Sequence, residues 1–142
     1  MDSMLLLHLM SYLYPEKIRA IYIDHQLQTP SASWGTFVSD QCAALNVPCI
    51  VEAVKVQAGN VEQQAREARY QAYLKHLKPN EILVLAHHQQ DQAETLILRL
   101  LSGAGVQGLS AMKQVDIREH FSLWRPLLNI SREQICQWAA QL

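Results

Sequence analysis

Four residues between positions 87 and 94 have the types and the spacing that acid–base chemistry requires. His87 and His88 are adjacent, and Asp91 and Glu94 follow with an interval of three residues between them. Residues three apart share one face of a helix, so the two carboxylates are expected side by side. Imidazoles and carboxylates are common general acids and bases. A helix cap, a solvated Glu and surface histidines would explain each residue alone, whereas the four together favour a site.

The segments on either side predict how these residues are positioned. Residues 82–85 form an apolar run without alternation, which is typical of a strand buried on both faces of a parallel sheet. The histidines follow its carboxyl end, where open α/β sheets bind ligands. A helical period then begins near Asp91, which places this carboxylate at or near the helix N-terminus, and Gly103 ends the helix. Its predicted core stripe consists of Leu96, Ile97, Leu100 and Leu101.

Helix and strand patterns alternate along the rest of the chain. Helices are predicted over 3–13, from Ser31 or Ser33 to Asn46, from Val61 onward, and from Ser131 to the C-terminus; strands are predicted over 19–24, 48–54, 115–117 and 121–125. In the second helix the predicted core stripe is Trp34, Phe37, Val38, Cys42 and Leu45. This alternation predicts an α/β fold with a Rossmann-like doubly wound parallel sheet. The chain opens on a helix, so the first strand of such a sheet is expected to be missing.

Composition limits the classes of protein that fit. A chain of 142 residues with 49% hydrophobic and 18% charged residues is ordinary for one soluble domain. The formal net charge of -1 does not give the basic surface of a self-sufficient nucleic-acid binder. Three widely spaced cysteines, without a CxxC motif, favour core thiols in the cytoplasm. The apolar N-terminal run is too short to span a membrane and lacks the features of a signal peptide.

Two motifs carry a resemblance to a known family. HHxxDxxET at residues 87–95, followed by SGAGVQGLSAM at 102–112, resembles the N-terminal ATPase domain of the tRNA(Ile)-lysidine synthases. These enzymes are PP-loop ATP pyrophosphatases, whose fold is of the adenine nucleotide alpha-hydrolase type. The first motif is shared with tRNA cytidine thiolases, whereas the GxGxxGLxxM segment is more typical of the lysidine enzymes. The resemblance covers nearly the whole chain.

The resemblance implies a reaction in two steps. ATP adenylates the C2 oxygen of the wobble cytidine in tRNA(Ile) with a CAU anticodon, and the amine of free L-lysine then displaces AMP. His87 would approach the α-phosphate, while Asp91 and Glu94 would receive the lysine ammonium or act as base. Mg²⁺ would be the accompanying metal ion. Gln89 and Gln90 replace a family pair that includes an acidic or amide residue, so a third carboxylate is not expected here.

Three further segments match the family at single residues. Asp2 and Ser3 resemble the end of the SGGxDS phosphate loop, in which Asp2 would help to hold Mg²⁺ and both residues would contact ATP. Asp24 and His25 resemble the strand end that holds adenine, although Gln26 and Gln28 stand in place of the usual Gly and Arg. In the helix predicted from Val61 onward, residues 62–74 resemble the family's E-x-x-AR-x-x-RY segment. By this resemblance Arg69 would face the reaction centre. A solvated charged face is the alternative for that helix.

Two alternative functions remain beside that of a lysidine-forming enzyme. A tRNA cytidine thiolase is disfavoured because its paired cysteines have no counterpart here, and a catalytically dead nucleotide-binding module is the other possibility. We also expect residues 1–142 to be a partial PP-loop ATPase domain, without the Ser-Gly-Gly of the phosphate loop and without the C-terminal tRNA-binding domains of the family. Such a fragment would be inactive alone.

Overall fold

The computed structural model describes residues 2–24, 31–54, 61–103 and 112–142. The elements in chain order are α1 (Asp2–Leu13), β1 (Ala20–Asp24), α2 (Ser31–Ala44), β2 (Cys49–Ala53), α3 (Val61–His76), β3 (Ile82–Val84), α4 (Gln89–Leu101), β4 (Val115–Ile117), β5 (Ser122–Trp124) and α5 (Arg132–Ala139). The chain divides into two compact parts. One consists of Leu7–Pro79, and the other consists of Met1–Leu6 with Asn80–Leu142.

In Leu7–Pro79 the strands β1 and β2 are parallel neighbours, with Ala20 opposite Cys49 and Asp24 opposite Ala53. Helix α2 lies against both strands, and α3 lies against β1. At Gly35 the helix α2 approaches the sheet closely, since a Cβ at this position would be in van der Waals contact with Val51 at 3.4 Å and with the Tyr22 ring at 3.6 Å. After α2 the backbone turns at Asn46, which has a φ of 58° as expected for a left-handed helix end.

In the other part β5 is the central strand of three. It pairs in parallel with β3, Leu83 lying opposite Leu123, and in antiparallel with β4, Val115 lying opposite Trp124. The order β3-β5-β4 therefore makes this sheet mixed, with the antiparallel strand β4 at its edge. The core of this part contains Leu5, Leu123 and Ile135, each at most 1% exposed. The predicted α/β class and the parallel strand pairings are confirmed. The strand β4 departs from the predicted parallel sheet because it is antiparallel to β5.

Element positions agree with the sequence to within a few residues. Helix α1 ends at Leu13, ahead of Tyr14 and Pro15, and α4 ends ahead of Gly103, whose φ is 74°. The predicted strands at 115–117 and 121–125 form a hairpin, β4 and β5. Ser131 caps α5 by accepting a hydrogen bond from the Gln134 backbone N–H at 3.2 Å. The turn chemistry of the sequence thus set the ends of these helices.

The core stripe predicted for α4 is wrong, and the one predicted for α2 is only partly buried. In α4 Leu96, Ile97, Leu100 and Leu101 are 39% to 79% exposed, and the helix has no buried residue. In α2 Cys42 is fully buried, but Trp34 and Phe37 are 54% and 43% exposed and contact each other edge to face. Apolar periodicity identified both helices correctly, but the period alone does not show which surface covers an apolar face. Large apolar side chains therefore remain exposed on both.

Strand burial is also less complete than predicted. In β3 Leu83 is 7% exposed, whereas Ile82 is 58% exposed, so this strand is not buried on both faces throughout. By contrast, the small residues Ala65 and Ala72 of α3 are buried, at 8% and 5% exposed. His25, Gln26, Gln28, the loop at 55–60 and most of the glycine-rich segment lie outside the described residues.

No helix in the described part of the chain combines the length and the apolarity that crossing a bilayer requires.

Candidate functional site

The junction between β3 and α4 is closed by His88, which is the N-cap residue of α4. Its backbone is extended, with φ at -125°, and its Nδ1 accepts a hydrogen bond from the Gln90 backbone N–H at 3.1 Å. In return the His88 backbone N–H donates to Oδ2 of Asp91 at 2.8 Å. This is a reciprocal capping arrangement in which an imidazole takes the role that Ser or Thr usually has. The cap is therefore His88, and Asp91 occupies the third helical position.

His88 also joins two carboxylates. Its Nε2 lies 3.0 Å from Oδ2 of Asp2 and 3.5 Å from Oδ2 of Asp91. Since Nδ1 is occupied as an acceptor, the ring proton of neutral His88 is on Nε2 and faces both carboxylates. His88 is 6% exposed, while the two carboxyl side chains are about one-third exposed. The arrangement holds the first residue of α1 beside the first turn of α4.

His87 is hydrogen-bonded to a buried arginine. The Nε of Arg125, just after β5, donates to Nδ1 of His87 at 3.1 Å, and its Nη1 donates to the Lys113 carbonyl at 2.9 Å. Arg125 is only 3% exposed. The parallel pairing of β3 with β5 explains the contact, because it brings the carboxyl ends of both strands to the same edge. We refer to Asp2, His87, His88, Asp91 and Arg125 as the strand-end cluster.

Gln92 fixes the segment that returns from the glycine-rich motif. Its side-chain amide nitrogen donates to the Met112 carbonyl at 2.8 Å, and its amide oxygen accepts from the Met112 N–H at 2.9 Å. A primary amide can satisfy both backbone groups of one residue in this way. The Met at the end of the GxGxxGLxxM motif is thereby held against the first turn of α4.

The remaining candidate residues are placed as follows. Glu94 and Ser3 are exposed, and within the described residues neither side chain forms a hydrogen bond or an ion pair. Asp24 ends β1 in Leu7–Pro79, where its carbonyl accepts from the Val54 N–H at 2.8 Å. Arg69 is also in Leu7–Pro79, on α3. His25 lies outside the described residues.

Arg69 carries a buried donor without a partner. Its side chain is half-buried, and Nε has no hydrogen-bond partner among the described residues. Nearby on the same helix, burial raises the pKa of Tyr73, and the Arg69 charge acts in the opposite direction. A buried guanidinium N–H without an acceptor is costly, so it is a good position for an acceptor supplied by a ligand.

The donor set around His88 suits a hard divalent cation. Mg²⁺ is usually held by one or two carboxylates, and it completes its shell with phosphate oxygens and water. Asp2 and Asp91 supply two such carboxylates at one imidazole. Within the described residues no group of three or more His, Cys, Asp and Glu side chains is arranged to hold a metal ion. Either carboxylate would supply a ligand for a magnesium ion, whose shell a phosphate-bearing ligand and water would complete.

The chain matches a known protein family along its whole length. The model of a PP-loop domain matches residues 1–142, the whole chain. The chain belongs to the PP-loop domain family. Curated relatives named tRNA(Ile)-lysidine synthase are similar along its length. The protein of Acinetobacter baylyi is 58% identical over 142 residues, and that of Actinobacillus pleuropneumoniae serotype 3 is 44% identical over 141.

This PP-loop domain spans about a third of the length of those relatives, 31% and 33% respectively, while they cover 100% and 99% of it. Among solved structures it is similar to the U34-tRNA thiolase NcsA from Methanococcus maripaludis with its [4Fe-4S] cluster. The TM-score is 0.73 over 98% of this chain and 52% of that one, at 14% sequence identity. At this identity the likeness shows the fold, which agrees with the predicted Rossmann-like α/β class.

Three residues of the PP-loop domain were not identified as site residues from the sequence. The sequence motifs include His88 only beside His87, and they give no role to Arg125 or Gln92. The pair of adjacent histidines was the one usable signal for His88, since the residue before a helix often caps it. Nothing in the local pattern around Arg125 or Gln92 indicates their partners, which lie 38 and 20 residues away along the chain.

Proposed function

We propose that this PP-loop domain is the ATP-using part of a tRNA(Ile)-lysidine synthase, which ligates lysine to C2 of the wobble cytidine of tRNA(Ile). In the first step ATP would adenylate the C2 oxygen and release pyrophosphate. In the second step the amine of free lysine would displace AMP. The 58% identity to the A. baylyi relative over the whole chain supports this substrate class. As a tRNA-modifying enzyme it would work in the cytoplasm.

One observation carries the proposal: the convergence of Asp2 and Asp91 on the Nε2 of His88. The two carboxylates come from the start of α1 and the first turn of α4, and both helix N-termini favour anions. Carboxylates held at such a position can bind a polyphosphate only with a divalent cation between them. Asp2 would help to hold Mg²⁺, which would neutralise charge on the pyrophosphate. Backbone amides at the start of α1 would contact phosphate oxygens, since the first turn of α4 already uses its amides in the His88 cap and in the contact of Gln89 with the Ile130 carbonyl.

The other residues receive roles that suit their surroundings. His87, next to the buried Arg125, would donate to an oxygen of the α-phosphate. Glu94 is exposed one turn along α4 from Asp91, so either carboxylate would receive the lysine ammonium or remove its proton. Deprotonation is required because an ammonium has no lone pair for attack. Asp24 and His25 would contact the adenine, and Arg69 would orient the cytidine or a phosphate through its unpaired Nε.

The proposal is best tested in a chimera, because the relatives are about three times as long as this chain. Residues 1–142 would replace the matching segment of the A. baylyi protein. Purified chimera would be incubated with Mg-ATP, radiolabelled lysine and a tRNA(Ile) transcript with a CAU anticodon. We expect ATP-dependent incorporation of lysine into the RNA, and none into a matched transcript whose wobble cytidine is replaced by uridine.

Two outcomes would contradict the proposal. A folded chimera that binds ATP but incorporates no lysine would favour the catalytically dead nucleotide-binding module. Transfer of sulfur from a supplied donor to the same cytidine, without lysine incorporation, would favour a thiolase. The Asp91→Asn chimera serves as the inactive control, because it removes one of the two carboxylates at His88 and leaves the residue's size unchanged.

A further inference from the structure

Arg125 is a buried cation whose described partners are all neutral. Its Nε donates to His87 and its Nη1 to a backbone carbonyl, and the side chain is 3% exposed. Across the described residues, Arg125 takes part in none of the ion pairs. Burying a cation without a carboxylate partner costs free energy, so such a residue is usually kept for a specific purpose. The contact with His87 indicates what that purpose is.

The protonation state of His87 is determined by its hydrogen-bond donor, which is the guanidinium of Arg125. A guanidinium has five N–H donors, no acceptor, and no accessible neutral form. The 3.1 Å contact from Arg125 Nε therefore requires a lone pair on Nδ1 of His87. A doubly protonated imidazole would place an N–H against an N–H, beside a second positive charge. His87 must be neutral, with its single ring proton on Nε2, as long as this contact exists.

We propose that Arg125 is a positioning residue that holds His87 as the neutral Nε2–H tautomer, so that the outer ring nitrogen of His87 can only donate. Any group opposite Nε2 must then accept a hydrogen bond. A phosphate oxygen meets this condition, and the positive charge of Arg125 behind the ring strengthens the donor for an anion. The identity of the accepting group as an ATP phosphate rests on the proposed function, whereas the tautomer does not.

The adjacent His88 provides a built-in comparison. The Nδ1 of His88 also accepts a hydrogen bond, but its donor is the Gln90 backbone N–H and not an arginine. The Nε2 of His88 faces the carboxylates of Asp2 and Asp91. Both histidines are thus expected in the Nε2–H form for different reasons. Removing the Arg125 guanidinium should affect His87 alone. This difference separates a specific effect of Arg125 from a general loosening of the fold.

The test is a long-range ¹H–¹⁵N spectrum of the histidine rings in the 142-residue chain at pH 7.5. The ¹⁵N shifts distinguish a protonated from an unprotonated ring nitrogen, and the His87→Gln and His88→Gln variants assign the signals. We expect the Nε2–H pattern for His87 and His88 in the unmodified chain. In Arg125→Met, His87 should change to a mixture of tautomers with at least about tenfold loss of the Nε2–H preference, roughly one hydrogen bond to a charged group. His88 should keep its pattern.

Because Arg125 is buried, Arg125→Met could fail to fold, and Arg125→Gln is the second variant. Its amide N–H₂ can donate to Nδ1, so the His87 pattern should be retained at least in part. A proton on Nδ1 of His87 in the unmodified chain overturns the proposal without any variant. So does an unchanged His87 in a folded Arg125→Met protein. Adding Mg-ATP to the same samples examines the proposed function separately, since ATP binding can fail while the tautomer result stands.

Discussion

The two compact parts of the chain differ in how completely their polar side chains are hydrogen-bonded to one another. In the strand-end cluster the side chains bind one another: His88 joins Asp2 and Asp91, and Arg125 donates to His87. In Leu7–Pro79 the buried Nε of Arg69 has no partner among the described residues, and Glu52 pairs with His76 and with Lys75, whose side chain is 67% exposed. The first region is preorganised without a ligand, whereas Arg69 still requires an acceptor.

This difference teaches how the two regions would contribute to a reaction. A cluster whose donors and acceptors already match can hold charged groups in a fixed geometry, and that is the requirement for electrostatic catalysis. A buried donor without an acceptor gains a hydrogen bond only when a ligand arrives, so it contributes to binding. Substitutions in the first region should therefore alter chemistry and local stability together. Substitutions at Arg69 should alter function with little loss of stability.

The largest contrast is expected between the thiols of the two parts. Burial, together with the neighbouring Cys49, raises the pKa of Cys42 from 9.0 to about 12, and Cys42 has no exposed surface. Cys136 on α5 is exposed. Since the thiolate is the nucleophile, N-ethylmaleimide at pH 7.5 should label Cys42 at least about 10³-fold more slowly than Cys136. Mass spectrometry of peptides over time gives both rates in one sample.

Two controls complete the labelling experiment. In denaturant the rates at Cys42 and Cys136 should converge, because both the burial and the contact with Cys49 are lost. A Cys49→Ser variant should speed the labelling of Cys42 only slightly, since burial is the larger cause. Equal labelling of Cys42 and Cys136 in the folded protein would mean that the β1–β2 part opens readily.

The next largest effect concerns the two carboxylates of α4. Glu94 is exposed, so Glu94→Gln should leave thermal unfolding unchanged while it reduces lysine incorporation by the chimera by about 10²-fold or more, the scale of a general base. Adenylation of the tRNA should continue. Asp91→Asn should weaken the cap at His88 as well, at a cost of about 1 kcal/mol. Full turnover by Glu94→Gln would remove Glu94 from the mechanism.

The exposed Glu133 on α5 offers a matched control for this experiment. Glu133→Gln changes the same functional group on a helix that contributes no residue to the strand-end cluster. Its lysine incorporation should equal that of the unmodified chimera. A loss in Glu133→Gln as large as in Glu94→Gln would mean that the assay responds to overall charge.

The fold was predictable from the sequence because its signals are local. Helical and strand periods, the Gly103 helix end and the Ser131 cap each depend on a few neighbouring residues. The position of His87 and His88 after a strand was predictable for the same reason. The His87–Arg125 contact was not, since it depends on the pairing of β3 with β5 across 38 residues.

Burial was predicted least well. The apolar periods of α2 and α4 are genuine, but Trp34 and Leu101 are 54% and 79% exposed. A helical period of apolar residues shows that a helix has an apolar side, but what covers that side depends on the tertiary structure. Ala65 and Ala72 of α3 are buried, because small side chains allow a helix to approach a sheet closely.

A smaller effect is expected at Arg69. Arg69→Met keeps the aliphatic length and removes the unpaired Nε, so the free energy of unfolding should stay within about 1 kcal/mol of the original or rise. Lysine incorporation by the chimera should fall at least about tenfold, the value of one lost hydrogen bond to a charged group. Thermal unfolding and the incorporation assay measure the two effects.

Arg66 is the matched control on the same helix. Its guanidinium lies over the Tyr70 ring, 5.8 Å from the centroid, and the side chain is exposed. Arg66→Met should lose up to about 1 kcal/mol of stability and keep its activity. The reverse result, an active Arg69→Met protein beside an inactive Arg66→Met protein, would show that the wrong arginine was assigned.

The smallest effect is expected at Glu52 on β2. Its pKa is lowered from 4.5, chiefly by the hydrogen bond from Lys75; burial opposes this shift, and the hydrogen bond with His76 adds to it. The two bonds to Glu52 measure 2.9 Å and 2.8 Å, and the Arg19 guanidinium nearby donates to the His76 carbonyl. A carboxyl group with a lowered folded pKa stabilises the fold above its unfolded pKa, and this contribution disappears as the pH falls through the folded value.

The stabilisation from Glu52 should therefore be complete near neutral pH and be lost progressively below about pH 4.5, because the unfolded carboxyl titrates there. The melting temperature of Glu52→Gln should lie slightly below that of the original chain at pH 7, and the difference should be smaller at pH 3. It should also shrink in 1 M salt, since Lys75 is 67% exposed and such pairs are strongly screened. The exposed Asp40 on α2 supplies the control, and Asp40→Asn should show no comparable difference at either pH. A Glu52→Gln deficit that persists unchanged at pH 3 would mean that side-chain packing, and not the ionised carboxylate, accounts for the contribution of Glu52.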